Sequence, residues 1–275
     1  MSASADAMWL MQPQTTDIHP RPHQWRNLLP LTGLTIGQAQ IVYTLAHRRL
    51  PPTPGRPWAL PLPVRVLLVL IHLRTNLTTR ALAALFRTSQ STVDRVIHHL
   101  VPVLADALRP DPDHHSDTHP WIIDGTLIPV HDQSMTAISK NYRRSVNTQI
   151  IICAHRRRVV VAGRCWPGNR NDVIVARHTV THLLSADRQV LGDGGYRGIT
   201  SITTPQRNAT GRIIHTDHYR THRRIRARVE HVIARLKDWQ ILRQCRRRGQ
   251  AINHSLHIIA GLWNLKGPTP LRVIS

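Results

Sequence analysis

Glutamate, lysine and cysteine are all scarce in this 275-residue chain, which has one glutamate (Glu230), three lysines and three cysteines. The odd number of cysteines and the lack of a Cys-x-x-Cys pair exclude a simple disulfide framework and are typical of a reducing cytosol. No apolar run approaches the ~18 residues of a membrane span, and the N-terminus lacks the pattern of a secretory signal. We therefore expect a cytoplasmic protein with no membrane-spanning segment.

Acidic residues are also few, and their imbalance with the basic residues is the strongest global feature. The chain has 37 Lys and Arg residues against 15 Asp and Glu residues, a net charge of +22. Because this charge is spread along the chain rather than confined to a tail, it indicates a surface that binds a polyanion. Nucleic acid is the favoured partner, and a membrane surface is the weaker alternative.

The segment 77–105 has the punctuation of two short helices joined by a tight turn. Thr78 or Thr79 can cap the first helix, and the second begins at Ser89 or Ser91 with apolar residues at a helical period. This pattern is typical of a helix-turn-helix, whose second helix enters the major groove with its N-terminal residues. In this chain those residues are Gln90, Ser91, Thr92 and Arg95. An ordinary helical hairpin is the alternative.

The chain changes character after residue 108, which predicts two domains. Residues 1–108 form an all-α domain that starts with a loose leader, and residues 109–120 have the composition of a linker. In that linker His114, His115, Asp117 and His119 could hold a metal, although a flexible linker is the favoured interpretation. Beyond it, β-branched runs alternate with helical patterns and predict a mixed sheet with helices packed on it.

Three acids occupy informative positions in this second region. Asp124 interrupts the first predicted strand, Asp193 ends a later strand within "VLGDGGYRG", and Glu230 lies in a long helix predicted over about 219–243. The glycines around Asp193 are expected to clear space for a bulky ligand, and an ordinary Asp-Gly turn is the alternative. Arg226, Glu230 and Lys237 lie in one row along that helix. The alternative is an ordinary surface ion pair between Arg226 and Glu230, which would explain Glu230 but neither Asp124 nor Asp193.

The motifs "DGT" at Asp124, "PGNRND", "LGDGGYRG" and R-x3-E-x6-K resemble, in this order, the DDE transposases of bacterial insertion sequences. The branch is similar to the insertion-sequence-five type, which is related to the Harbinger transposases. The resemblance covers roughly residues 77–265. It implies a ribonuclease H-like α/β catalytic domain over 121–266, a mixed sheet with flanking helices, followed by a tail over 267–275.

The resemblance also implies which residues bind the catalytic metal ions and which contact the DNA. Asp124, Asp193 and Glu230, here called the acidic triad, would bind two divalent ions, Mg²⁺ or Mn²⁺. Arg226 and Lys237 match two positions of a Tyr-Arg-Glu-Lys signature and would contact DNA phosphates. Arg223 stands at the tyrosine position. Asp172 and Asp132 remain open as accessory ligands, with helix capping favoured for Asp172 and a loop role for Asp132.

The predicted function is that of a DNA transposase. Such an enzyme binds the terminal inverted repeats in double-stranded DNA, cleaves at the element ends, and joins the 3′-OH ends to target DNA. We expect it to act as a dimer or higher oligomer on DNA, in association with the nucleoid. Two other classes remain open: a non-catalytic helix-turn-helix protein, and a ribonuclease H-like nuclease that cleaves without joining.

Overall fold

The computed structural model describes residues 27–51, 57–112, 118–139 and 143–267. By its internal contacts the chain divides into two compact units, Met1–Leu108 with Trp239–Ile241, and Arg109–Asp238 with Leu242–Ser275. The predicted leader up to residue 26 and the tail from residue 268 lie outside the described residues. So do His114, His115 and Asp117, which were candidates for metal binding in the linker.

The first unit is helical. Within its described residues the α-helices are α1 (Ile36–Arg49), α2 (Leu62–Thr75), α3 (Thr79–Leu85) and α4 (Gln90–Ala107). Helix α1 begins with a capping box between Thr35 and Gln38, which satisfies two backbone N–H groups at the helix start. Helix α2 is buried from Val64 to Leu73, a mostly apolar stretch that also includes Arg65 and His72.

Helices α3 and α4 form the predicted pair. Thr78 caps α3 by accepting a hydrogen bond from Ala81 N, and Ser89 caps α4 by accepting one from Thr92 N. The connecting turn is short and places Arg87 at a φ of 49°. The predicted inward face of α4 is confirmed, since its members are all buried: Val93, Val96, Ile97 and Leu100.

The second unit is built on one seven-stranded sheet. The strands are β1 (Trp121–Pro129), β2 (Ala137–Ile138), β3 (Arg144–Cys153), β4 (Val159–Ala162), β5 (Trp166–Pro167), β6 (Val190–Leu191) and β7 (Ile202–Thr203). In the described part of this unit the strands are accompanied by α5 (Asp172–Thr179), α6 (Asp217–Leu236) and α7 (Ala251–Leu265). The strand order is β2-β3-β1-β6-β7, and β4 and β5 also pair with β3.

The sheet is mixed, as predicted. Strand β1 runs antiparallel to β3, with Trp121 opposite Cys153 and Pro129 opposite Ser145, whereas β6 joins the other side of β1 in parallel. Strands β3 and β4 form an antiparallel hairpin around the segment "HRRR". A mixed sheet flanked by helices is the architecture that the resemblance implies.

The two faces of β1 point to different helices, because successive side chains in a strand alternate. Trp121 and Ile123 pack in a core cluster with Ala176 of α5. Asp124 points to the opposite face, where Arg226 and Glu230 of α6 act on it electrostatically.

The long helix ends earlier than predicted, at Leu236 rather than near residue 243. Trp239, Ile241 and Leu242 are all buried, and a short 3-10 turn over Gln240–Leu242 accommodates them where a continued α-helix would not. Helix α5 also ends earlier than the apolar pattern predicts, at Thr179 rather than at residue 185. Among the described residues no helix is both long and apolar enough to cross a membrane.

Candidate active site

Asp124 lies in the middle of β1, opposite Ile150 of β3. Its Oδ1 accepts a hydrogen bond of 3.0 Å from the backbone N–H of Gly125. Burial raises the pKa of Asp124 to about 6; the Arg226 guanidinium opposes this rise, and the Asp193 and Glu230 carboxylates add to it. Because both carboxylates act on Asp124 electrostatically, all three members of the acidic triad lie in one region of the molecule.

Asp193 lies two residues after the end of β6, the parallel neighbour of β1. Ile122 is the register partner of Leu191, so extending that register by two residues beyond β6 places Asp193 level with Asp124. Adjacent strands lie about 4.8 Å apart, which brings the two residues side by side. Asp193 also begins the 3-10 turn Gly194–Tyr196 and accepts a 2.8 Å hydrogen bond from Gly195 N.

The glycines around Asp193 have two different roles. Gly192 is buried, and a β-carbon there would lie 2.7 Å from Cγ2 of Ile202 and 2.9 Å from Cδ2 of Tyr196. At Gly195 a β-carbon would lie 2.8 Å from Oδ1 of Asp193. The expectation that these glycines open space for DNA is therefore wrong for Gly192, which is needed for close packing. Gly195 instead makes room for the Asp193 carboxylate itself.

Glu230 completes the triad from α6 and is the most exposed member, with 58% of its side chain accessible. Arg226, one turn earlier, is only 15% exposed and approaches Glu230 Oε1 at 3.5 Å through Nη2. An exposed ion pair of this length contributes only tenths of a kcal/mol, so it holds Glu230 weakly. Glu230 is therefore free to exchange Arg226 for a cation. The buried Nε of Arg226 has no hydrogen-bond partner among the described groups.

Lys237 differs from the solvent-edge lysine that the sequence suggests. It stands at the C-cap of α6, and its Nζ donates a 3.1 Å hydrogen bond to the carbonyl oxygen of Leu127 in β1. Burial, and then the charge of Arg243, lower the pKa of Lys237. With Arg143 and Arg243 it lines a cavity of about 500 Å³. Lys237 thus supports the strand that carries Asp124 and also faces a basic recess.

Asp172 does not cap a helix, so the favoured interpretation of this residue is wrong. Asn171 occupies the N-cap of α5, and Asp172 is the first helical residue. Its Oδ1 instead accepts hydrogen bonds from Asn147 Nδ2 at 2.8 Å and from Gln149 Nε2 at 3.3 Å. Neither amide was predicted, although polar residues at alternate positions of this β-branched strand are a usable signal in the sequence.

Asp132 has the predicted loop role. It begins the 3-10 turn Gln133–Met135 and accepts hydrogen bonds from the backbone N–H groups of Ser134 and Gly249. These bonds tie the loop after β1 to the segment before α7.

Three of the four residues predicted to enter the major groove are exposed, namely Gln90, Ser91 and Arg95. Thr92 is buried, and its hydroxyl lies 2.9 Å from Ser89 Oγ, so it takes part in the helix cap. The burial of Thr92 and the engagement of its hydroxyl disfavour a direct contact with DNA, which stays a prediction. The guanidinium of Arg95 stands over the ring of Trp58, 5.6 Å from its centroid.

Two observations bear on metal binding. In the described part of the chain, no three His, Cys, Asp or Glu side chains are already grouped as ligands of one ion. The triad nevertheless supplies hard oxygen donors, and the pKa of Asp124 is raised partly by two neighbouring carboxylates, a repulsion that a cation would relieve. Because Mg²⁺ keeps several waters and takes substrate phosphates as ligands, two neighbouring aspartates and an exposed glutamate fit such an ion.

Comparison with known proteins gives three matches. Residues 58–110 match the family model described as the helix-turn-helix of DDE superfamily endonuclease, and residues 117–265 match the transposase DDE domain. A curated relative from Streptomyces albus G, described as a candidate transposase for insertion sequence element IS112, is 42% identical over 244 residues. The alignment covers 86% of this chain and 94% of the relative.

Proposed function

This chain belongs to the DDE-superfamily transposases of insertion sequences, and from that premise we propose that it cuts and joins DNA at the ends of its element. The proposed reaction is hydrolysis of a phosphodiester bond at each terminal inverted repeat, followed by transfer of the 3′-OH end to target DNA. Membership in the insertion-sequence-five branch remains a prediction from the motifs.

The proposal is supported by Asp124 in β1 and Asp193 just beyond the end of the neighbouring β6, at the level that the parallel register predicts, with the charge of Glu230 in α6 acting on Asp124. These residues would hold Mg²⁺ or Mn²⁺. Two such ions would supply an activated water and stabilise the leaving oxygen. Asp124 in strand β1 and Asp193, held at the start of the 3-10 turn by its bond from Gly195 N, would together position the scissile phosphate.

Arg226 and Lys237 are proposed to handle the charge of the DNA end. Arg226 approaches Glu230 and acts on Asp124, so once those carboxylates are engaged its guanidinium is available to a phosphate oxygen. Lys237 faces the basic recess near Leu127 and would position the DNA backbone as a point charge.

The helical unit is proposed to recognise the terminal repeats through the exposed start of α4. Gln90, Ser91 and Arg95 lie where a recognition helix offers side chains to base edges and phosphates. We further propose that a dimer or larger assembly acts on DNA, because two element ends must be handled together. Its DNA substrate would place the protein at the nucleoid.

The test uses the amide variants of the acidic triad in the full-length protein. We expect Asp124→Asn, Asp193→Asn and Glu230→Gln to lose cleavage and joining in Mg²⁺ while binding the terminal repeat with unchanged affinity, because the basic surface is intact. Strand joining retained by Glu230→Gln would contradict the assignment of Glu230. A wild-type protein that cleaves but never joins ends would instead be a nuclease, and one that only binds would be a non-catalytic DNA-binding protein.

A further inference from the structure

A buried polar cluster lies behind the strand that carries Asp124. Position 125 points to the face of β1 opposite Asp124, and Gly125 is directly opposite Gln149 in β3. A β-carbon at position 125 would overlap Oδ1 of Asp172 and lie 3.0 Å from Nε2 of Gln149. The Asp172 carboxylate therefore packs on the backbone beside Asp124, with the strand between the two acids.

The same cluster continues to the backbone beside Asp193. The amide of Gln149 donates to Asp172 Oδ1, and its oxygen accepts a hydrogen bond from the hydroxyl of Tyr196. Gln149 and Tyr196 are both fully buried. The Tyr196 ring lies against Gly192, where a β-carbon would be 2.9 Å from Cδ2. The hydrogen-bonded chain from Asp172 through Gln149 to Tyr196 thus connects Gly125 with Gly192.

Each end of this chain is next to a member of the acidic triad. Gly125 follows Asp124, and Gly192 precedes Asp193. In both places the absent side chain is what allows the cluster to contact the backbone. Asp172 itself is on the wrong face of β1 to share an ion with Asp124, and its Oδ1 already accepts hydrogen bonds from two amides. This placement argues against a role for Asp172 as a metal ligand.

We propose that Asp172, Gln149 and Tyr196 are positioning residues that fix the separation between the Asp124 and Asp193 carboxylates. This inference rests on the proposed function and deepens it. Mg²⁺ tolerates little departure from octahedral geometry at 2.0–2.1 Å, and a 1 Å misplacement of reacting groups can cost about 10²-fold in rate. Hydrogen bonds among side chains packed against the backbone hold that backbone in place, which is the property such a site needs.

The proposal is tested by measuring Mn²⁺ binding to the full-length protein by calorimetry, together with the rate of cleavage at element ends. Tyr196→Phe removes only the hydroxyl, and Asp172→Ala removes the acceptor. We expect both variants to bind Mn²⁺ about tenfold more weakly than the wild type and to bind terminal-repeat DNA with the same affinity. Asp172→Asn keeps an acceptor oxygen and should lose only about threefold. If Asp172 were a ligand, Asp172→Asn would lose Mn²⁺ as fully as Asp124→Asn.

Thr148→Val is the matched control. Thr148 is in the same strand as Gln149, is fully buried, and donates a 2.6 Å hydrogen bond to the Gly163 carbonyl rather than to the cluster. Its replacement should lower the unfolding temperature and leave Mn²⁺ affinity unchanged. Equal weakening by Thr148→Val would overturn the proposal, because any lost buried hydrogen bond would then have the same effect.

The failure of the proposal is distinguishable from the failure of the proposed function. Normal Mn²⁺ affinity and normal cleavage in Tyr196→Phe would contradict the positioning role and leave the function intact. A wild-type protein that binds Mn²⁺ in a Tyr196-dependent way and never cleaves DNA would contradict the function alone.

Discussion

Gly125→Ala is the substitution for which the structure gives the clearest magnitude. The added methyl group would overlap Asp172 Oδ1 and crowd Gln149 Nε2, so the contact between these two side chains must break. A hydrogen bond to a charged group contributes about 1.5–3 kcal/mol, and displacing the buried partners adds further strain. We therefore expect Gly125→Ala to lower the free energy of unfolding by about 2–4 kcal/mol.

The assay is denaturant unfolding of the full-length protein, with Gly37→Ala as control. Gly37 is exposed in α1, and a β-carbon there meets nothing within 4 Å, so this variant should be unchanged or more stable by up to about 1 kcal/mol. Gly125→Ala should also weaken Mn²⁺ binding, because Asp124 is the preceding residue. If Gly125→Ala unfolds at the same denaturant concentration as the wild type, the close packing of Asp172 on β1 is refuted.

Three further predictions concern other parts of the molecule. Burial, and then the charge of Arg109, lower the pKa of His257 to about 4, so this histidine is neutral in the folded protein and gains a proton on unfolding below its ordinary pKa. The free energy of unfolding should therefore fall by about 1–2 kcal/mol as the pH drops from 6.5 to 4, because this ring is only half-buried. The His257→Gln variant should show a flatter dependence of that free energy on pH over the same range. Lys237→Met should lower the affinity for the DNA ends, and it should lower the free energy of unfolding by about 1 kcal/mol because the hydrogen bond to Leu127 is lost. An unchanged free energy of unfolding would refute that hydrogen bond. Arg95→Ala should weaken repeat binding and reduce its salt dependence by about one phosphate contact, measured by titration at several salt concentrations; an unchanged slope would exclude a phosphate contact.

Local features of the fold follow from the sequence, and long-range contacts do not. The caps at Thr78 and Ser89 and the buried face of α4 depend on neighbours within one helical turn, so spacing alone predicts them. The bond from Lys237 to Leu127 joins residues 110 positions apart, and no local pattern encodes it. The end of α6 at Leu236 was not predicted by the local apolar pattern either.

The candidate site shows the same division. Motif order and resemblance indicated the three acids, and the parallel pairing of β1 with β6 explains why two of them stand level. The role of Asp172 was mistaken because its position before an apolar run suggested a cap. Its actual partners, Asn147 and Gln149, come from a strand that is adjacent only in the folded sheet.

Joining of pre-cleaved terminal-repeat ends to a target duplex tests the central claim most directly, because it isolates strand transfer from cleavage. The reaction is run in Mg²⁺ with the wild type and Glu230→Gln side by side, at protein concentrations where both bind the ends equally. We expect 3′-OH ends joined to target DNA by the wild type only, and only when the divalent ion is present. Equal joining by Glu230→Gln, or joining by the wild type in the presence of a chelator, would contradict the account.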